Sequence, residues 1–181
     1  MFEVERSSMK QSVELRRREF ATGRALLREL MARRVPIPID AQRRPILPSG
    51  IVGSLAHDRT FAVAAVSERP DIAALGIDIE PFGVLETSVA EAILRPDEHG
   101  LDPTLGFVVK EAVYKAWSSL GGEMLDFHDV GVELTQGFFH ADVLAGRAHL
   151  AGRYCRVADR WLALVAVDTP RLTGTAGITS S

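Results

Sequence analysis

Lysine is nearly missing from this chain. Of 21 lysine and arginine residues only Lys10, Lys110 and Lys115 are lysines, so two of the three fall inside one six-residue window. Where arginine is the default cation, a retained lysine suggests a task arginine performs badly, such as moving a proton. Cysteine is scarcer still. Cys155 is the only one, which rules out an intrachain disulfide and a cysteine-held structural zinc, and favours a reducing compartment. No apolar run reaches membrane-spanning length, and Met1–Arg6 carries no signal-peptide core, so a cytoplasmic protein is expected. A surplus of positive charge is also lacking. The net charge is −3, so no global field points to nucleic acid or to a membrane surface as partner.

What is present is ordinary in bulk and uneven in detail. With 181 residues, 46% hydrophobic and 25% charged, the chain can build one domain or two small lobes with a sizeable core. Residues 16–44 hold nine arginines against Glu19, Glu29 and Asp40. In the span 12–33 Val13, Phe20, Leu27 and Met31 recur at helical spacing, with Arg17, Arg24 and Arg28 as a second stripe beside them. That stripe reads either as the solvated flank of an amphipathic helix or as an anion-binding rail. Val35-Pro36-Ile37-Pro38 ends the helix, and Arg44–Gly50 reads as a rigid loop.

Phe61–Val66 and Ala73–Glu80 read as antiparallel strands around a turn at Ser67–Asp71. In the second, Leu75, Ile77 and Ile79 share one face while Gly76, Asp78 and Glu80 take the other, until Pro81 stops the ladder. Ser88–Leu94 predicts a short helix and Pro96-Asp97-Glu98 opens another turn or helix. The spacing predicts a helix over 104–120, ended by Gly121-Gly122, with Val109, Val113, Ala116 and Leu120 buried. Glu111 and Lys115 lie four apart on a different side and face one space; Lys110 is out of phase with them. Short β-like runs follow at Val130–Leu134, Phe138–Val143, Arg147–Leu150, Arg153–Val157 and Leu162–Val167, and the small, polar tail from Thr169 is expected to be mobile. No internal repeat is visible. Helix then strands, twice, without βαβ alternation, predicts an α+β fold of two similar lobes.

The chemistry lies in two blocks: Gly76-Ile77-Asp78-Ile79-Glu80 and Phe107-Val108-Val109-Lys110-Glu111-Ala112-Val113-Tyr114-Lys115. Asp78 and Glu80 can converge on one ion and Glu111 can complete an all-oxygen set, which suits Mg²⁺ or Mn²⁺ and not zinc. Taken alone, Asp78-x-Glu80 could simply end an exposed strand, and Glu111 with Lys115 could be a surface pair of little energetic weight.

The two blocks together are more specific. With Arg18-Glu19-Phe20-Ala21-Thr22-Gly23-Arg24 and Arg44-Pro45…Gly53-Ser54-Leu55-Ala56-His57 ahead of them in order, the chain resembles 4′-phosphopantetheinyl transferases of the surfactin/enterobactin-synthesis type over about residues 12–135. The resemblance implies transfer of phosphopantetheine from coenzyme A to a serine of an apo carrier protein, releasing 3′,5′-adenosine bisphosphate. It implies that Asp78, Glu80 and Glu111 ligate Mg²⁺, that Glu111 takes the serine proton and that Lys115 sits on the phosphates. By the same resemblance His57 would touch a coenzyme A phosphate, and Arg24, Arg28 and Arg44 would serve the 3′-phosphate and adenine end. The fold implied is α+β with two pseudo-twofold lobes, each of helices on a small, mostly antiparallel sheet, here 1–74 and 75–168 with a tail at 169–181. A monomer is expected.

Three positions depart from that pattern. Ala56 stands where a serine or threonine is frequent, Phe107 where tryptophan is, and the chain before the first arginine helix is short. The alternatives are a non-catalytic homologue that binds coenzyme A or a carrier protein, and a Mg²⁺-dependent nucleotide phosphohydrolase. His99, His128, His140, His149 and Cys155 lie outside every matched motif and are expected to be structural or exposed, with Trp117 and Trp161 in the core.

Overall fold

The computed structural model describes residues 1–10, 12–83 and 85–170. In chain order these form α1 (Glu3–Ser8), α2 (Glu14–Met31), β1 (Val52–His57), β2 (Ala62–Ser67), β3 (Ile72–Pro81), α3 (Thr87–Ile93), α4 (Pro103–Ser119), β4 (Val130–Thr135), β5 (Phe138–Val143), β6 (Ala148–Val157) and β7 (Arg160–Asp168). Short 3₁₀ turns at Pro96–Glu98 and Phe127–Asp129 lead into α4 and β4. The fold is α+β, with antiparallel strands throughout. Among the described residues no helix is long and apolar enough to cross a membrane.

The strands divide unequally, β1 and β2 forming a hairpin of their own while five strands make a sheet in the order β3-β7-β6-β5-β4. This corrects the expected pairing of the strands on either side of Ser67–Asp71. β2 pairs with β1, Ser54 opposite Ala65, and β3 pairs with β7, Asp78 opposite Ala163 and Glu80 opposite Trp161. Alternation fixes which face a residue takes but not which strand it meets. The two runs expected at Arg147–Leu150 and Arg153–Val157 are one strand. Gly152 between them lies against Phe139 and the Leu164 carbonyl, where a Cβ would come within 2.6 Å of both, so the residue that breaks the pattern is required by packing.

α2 lies on the hairpin, and Leu27, Met31, Ile37 and Ile51 make a small core there. Val13, expected on the apolar stripe, is instead the exposed residue that precedes the helix. Asp102 caps α4 by accepting from Thr104 N at 2.9 Å and Leu105 N at 3.1 Å, with Pro103 as first helical residue. Val108, Val109, Ala112, Val113 and Ala116 of α4 are fully buried against Phe139, Val143, Ala163 and Val165 of the sheet. Leu120, expected in that face, is exposed because the helix ends one residue earlier. Trp161 is in this core and Trp117 packs half-buried beside it.

Residues 3–8, in the short segment ahead of the arginine helix, form α1. Its Glu5 is fully buried and accepts from Phe2 N at 2.9 Å, Ile37 N at 2.8 Å and Arg28. At the other end, Thr169 N reaches the Asp71 carbonyl at 2.8 Å, and residues 171–181 of the expected mobile tail lie outside the described residues.

Candidate active site

β3 is buried from Ala74 through Ile79 because both its faces are covered. Ile77 and Ile79 point to Ala56, Val63 and Ala65 of the hairpin, and Gly76, Asp78 and Glu80 point the opposite way, toward α4. A Cβ on Gly76 would stand 1.9 Å from the Ala112 carbonyl oxygen. This glycine therefore lets α4 press onto the strand, and with Ala112 in contact, Glu111 and Lys115 on either side of it reach the acidic positions of β3. Gly76→Ala should cost about 1–3 kcal/mol through forced separation of helix and strand, read as a fall in Tm together with slower turnover. An unchanged Tm would show that the contact is looser than the geometry says.

Lys115 Nζ donates to Asp78 Oδ1 at 2.6 Å and to the Ile77 carbonyl at 3.1 Å. The other oxygen, Asp78 Oδ2, is buried without a hydrogen-bond partner. Burial raises the Asp78 pKa against the pull of Lys115 and of His57. Burial, then the charges of Asp78, Asp58 and Glu111, push Glu80 up to about 7, and burial with the Asp78 charge raises Glu111. Three carboxylates thus crowd one another with one ammonium among them, an arrangement that lacks positive charge.

A divalent cation fits that deficit. The donors are all oxygen, and Asp78 Oδ2 is a buried acceptor without a partner. Among the described residues no three His, Cys, Asp or Glu side chains already stand close enough to hold an ion, so the carboxylates would have to close in. Beside Glu111 a cleft of about 330 Å³ opens between α4 and the following loop, walled by Tyr114, Met124, Leu125 and Phe127.

The remaining predicted residues fall in three places. His57 ends β1, exposed, with its charge felt by Asp78. Arg24 and Arg28 sit apart, on α2: Arg24 is 2% exposed with Nε on the Ile37 carbonyl at 2.7 Å and its guanidinium over Phe20, and burial lowers its pKa to about 10. Arg28 Nε reaches the Val35 carbonyl at 2.8 Å, and its Nη2 pairs with Glu5. Arg44 is held by Asp40 at 2.7 Å and donates to the Ser118 carbonyl at the end of α4. Ala56 is 4% exposed and packs on Ile77 and Ile79, so a hydroxyl there would face apolar side chains. Lys110, next to Glu111, is wholly buried and bonds Glu98 Oε2 at 2.6 Å and the carbonyls of Ile93 and Phe127 at 2.8 and 3.1 Å. Helical spacing sets the phase of Lys110 but carries no sign of Glu98 as its partner.

Residues 4–67 match the model of the 4′-phosphopantetheinyl transferase N-terminal domain, and residues 74–163 that of the 4′-phosphopantetheinyl transferase superfamily. The chain is 36% identical over 173 residues to the 4′-phosphopantetheinyl transferase Svp of Streptomyces mobaraensis, covering 84% of this chain and 70% of that protein. The chain belongs to this family. It is also 33% identical to the 4′-phosphopantetheinyl transferase Npt of Nocardia iowensis over 83% of its own length and 79% of Npt. Enterobactin synthase component D of Salmonella typhimurium matches at 38% over 104 residues, 51% of this chain and 42% of that one. Both family matches together span the two sequence blocks of the site, and Asp78, Glu80, Glu111 and Lys115 all fall within the second.

Proposed function

We propose that this phosphopantetheinyl transferase moves the 4′-phosphopantetheine group from coenzyme A to a serine hydroxyl of an apo acyl or peptidyl carrier protein, releasing 3′,5′-adenosine bisphosphate. The observation that carries the reading is the Lys115–Asp78 pair on the α4 side of β3, with Asp78 Oδ2 buried and unpartnered and the Asp78 charge felt by both Glu80 and Glu111. Such a set stabilises anionic phosphate only when matched by further positive charge, which a diphosphate-bound Mg²⁺ or Mn²⁺ would bring to Asp78, Glu80 and Glu111.

Glu111 accepts the serine proton, directly or through a water; burial and the Asp78 charge raise its pKa, which makes it a stronger proton acceptor than an ordinary carboxylate. The serine oxygen then forms the new bond to phosphorus as the bond to the bridging oxygen of the diphosphate breaks. Lys115 stands beside Asp78 to neutralise or protonate the departing phosphate. His57 contacts a phosphate from the end of β1. Arg24, Arg28 and Arg44 are assigned to the 3′-phosphate and adenine end; Arg24 and Arg28 are engaged by the Ile37 and Val35 carbonyls and by Glu5 and would have to turn outward to reach a phosphate, which leaves Arg44 the most exposed of the three. The cleft beside Glu111 gives the moving group an apolar approach.

Coenzyme A is placed between an N-terminal lobe of residues 1–74 and a C-terminal lobe of 75–168. The separate family matches on 4–67 and 74–163 support that division. We further assign the chain to the cytoplasm as a monomer, the single cysteine fitting a reducing compartment.

One experiment tests the reading: incubate an apo carrier protein with coenzyme A, Mg²⁺ and the chain, with and without EDTA, and weigh the products. A phosphopantetheine-sized gain in carrier mass that EDTA abolishes is expected. Phosphate lost from coenzyme A alone would make the chain a hydrolase, and no change in either would make it a binding protein.

A further inference from the structure

The hairpin that carries His57 shares no strand pairing with the sheet that carries the carboxylates. Besides the apolar contact of Ala56 with Ile77 and Ile79, polar ties hold it there. One is mid-strand, where Ser54 Oγ accepts from Ile77 N at 3.1 Å. Another is at the tip, one residue beyond His57.

At the tip, Asp58 Oδ1 accepts from Thr60 N at 2.6 Å, Thr60 Oγ1 at 3.0 Å and Phe61 N at 2.7 Å, which closes the turn between β1 and β2. Its Oδ2 pairs with Arg160 Nε at the start of β7. Arg160 grips the same turn twice more, through Nη2 to Thr60 Oγ1 at 2.5 Å and by lying over the Phe61 ring at 4.1 Å. Its Nη1 is spent on the Ala158 carbonyl at 2.7 Å, so the fork cannot swing away freely. Both charged side chains are sheltered, 14% exposed for Arg160 and 8% for Asp58. Although burial pushes the Asp58 carboxyl up, the Thr60 N–H and Arg160 hold it down to about 2. Opposite Arg160 on β3 is Pro81, directly after Glu80. The pair therefore ties the residue after His57 to the strand position after Glu80.

We infer that Asp58 and Arg160 are a positioning pair, an inter-strand latch that fixes the tip of the β1–β2 hairpin, and with it His57, beside the end of β3 that carries Glu80 and the phosphate expected there. The inference rests on the transfer reading, since it gives His57 a phosphate to hold. Arg160 itself touches no reacting atom; it acts through the turn. With the latch cut, the Ser54 tie and the apolar contacts still keep the hairpin on the sheet, and what is lost is the aim of one side chain.

The test is steady-state transfer to an apo carrier with wild type, Arg160→Met, Arg160→Lys, His57→Ala and the double variant His57→Ala/Arg160→Met. Because a misplacement of about 1 Å can cost up to roughly a hundredfold, Arg160→Met should raise the coenzyme A KM about tenfold while leaving kcat and the carrier KM within about twofold. Arg160→Lys, which keeps the charge but loses the fork, should recover part of that loss. In the His57→Ala background Arg160→Met should add less than twofold, because the residue it aims is gone. Asp58→Asn, which keeps shape and one acceptor oxygen, should reproduce the KM rise if Arg160→Met proves too unstable to assay. An active wild type with an unmoved KM in both variants, or with effects of Arg160→Met and His57→Ala that simply multiply, would overturn the latch alone. A wild type that leaves the carrier unmodified would overturn the transfer reading and the latch with it.

Discussion

Glu111→Gln is expected to slow carrier modification about a thousandfold, the range lost with a positioned general base, while the protein becomes no less stable. The amide keeps the shape of the carboxylate and its place between α4 and the cleft, so packing is untouched. What changes is charge. Burial and the neighbouring Asp78 both raise the Glu111 pKa, which is to say that folding works against the ionised side chain. Replacing it with a neutral group relieves Asp78 and Glu80 of a repulsive neighbour, so Tm without added metal should stay level or rise. An inactive protein that melts no earlier is the signature of a group kept for chemistry at the expense of stability. The measurement is kcat by carrier mass together with a thermal melt. Full turnover would remove Glu111 from the mechanism, and a clear fall in Tm would make its role structural.

One residue earlier the expectation reverses. Lys110→Met should destabilise the fold by about 3–5 kcal/mol, the cost of removing one member of a buried ion pair, with catalysis affected only through loss of folded protein. Lys110 Nζ supplies Glu98 Oε2 and the main-chain carbonyls of Ile93 and Phe127. Glu98 in turn accepts from Arg95 N at 2.8 Å and Val132 N at 2.7 Å, so one network pins α4, the turn after α3 and the first residues of β4. Burial lowers the Lys110 pKa despite the pull of Glu98, and methionine of similar length would leave that carboxylate and both carbonyls short of a donor. Urea unfolding checks the size of the loss. Glu98→Gln in the same chain should make the added cost of Lys110→Met smaller, because the uncompensated charge is then absent. A loss under about 1 kcal/mol, the scale of an exposed pair, would place Lys110 in solvent.

Side by side, these two residues show what a linear reading captures. Helical phase separated Lys110 from Glu111, and the apolar spacing with the glycines after 120 bounded α4 to within a residue. Local signals of that kind need no knowledge of distant chain. The alternation of Asp78 and Glu80 against Ile77 and Ile79 was equally legible. Pairing was not, because an apolar strand carries no label for its partner, and β3 took β7 from the far end of the chain in place of β2 beside it. Nothing in the sequence marked Glu5 or the helix α1 that carries it; its complete burial depends on Arg28 and Ile37 closing over it. Asp58 and Arg160 meet only after both sheets have formed. The arginine stripe of α2 fits neither alternative fully, since Arg24 and Arg28 are turned inward onto carbonyls, aromatic rings and Glu5.

The strand that bears two of the acids lies at the rim of its sheet, and rims invite other chains to pair. Here the invitation is withdrawn. The Ile77 N–H is spent on Ser54 and the Ile77 carbonyl on Lys115, and Pro81 offers no donor beyond them. A carrier protein arriving at this border would find no open main-chain groups at Ile77 to add a strand to. The lysine assigned to the phosphate thus also covers the Ile77 carbonyl at that border.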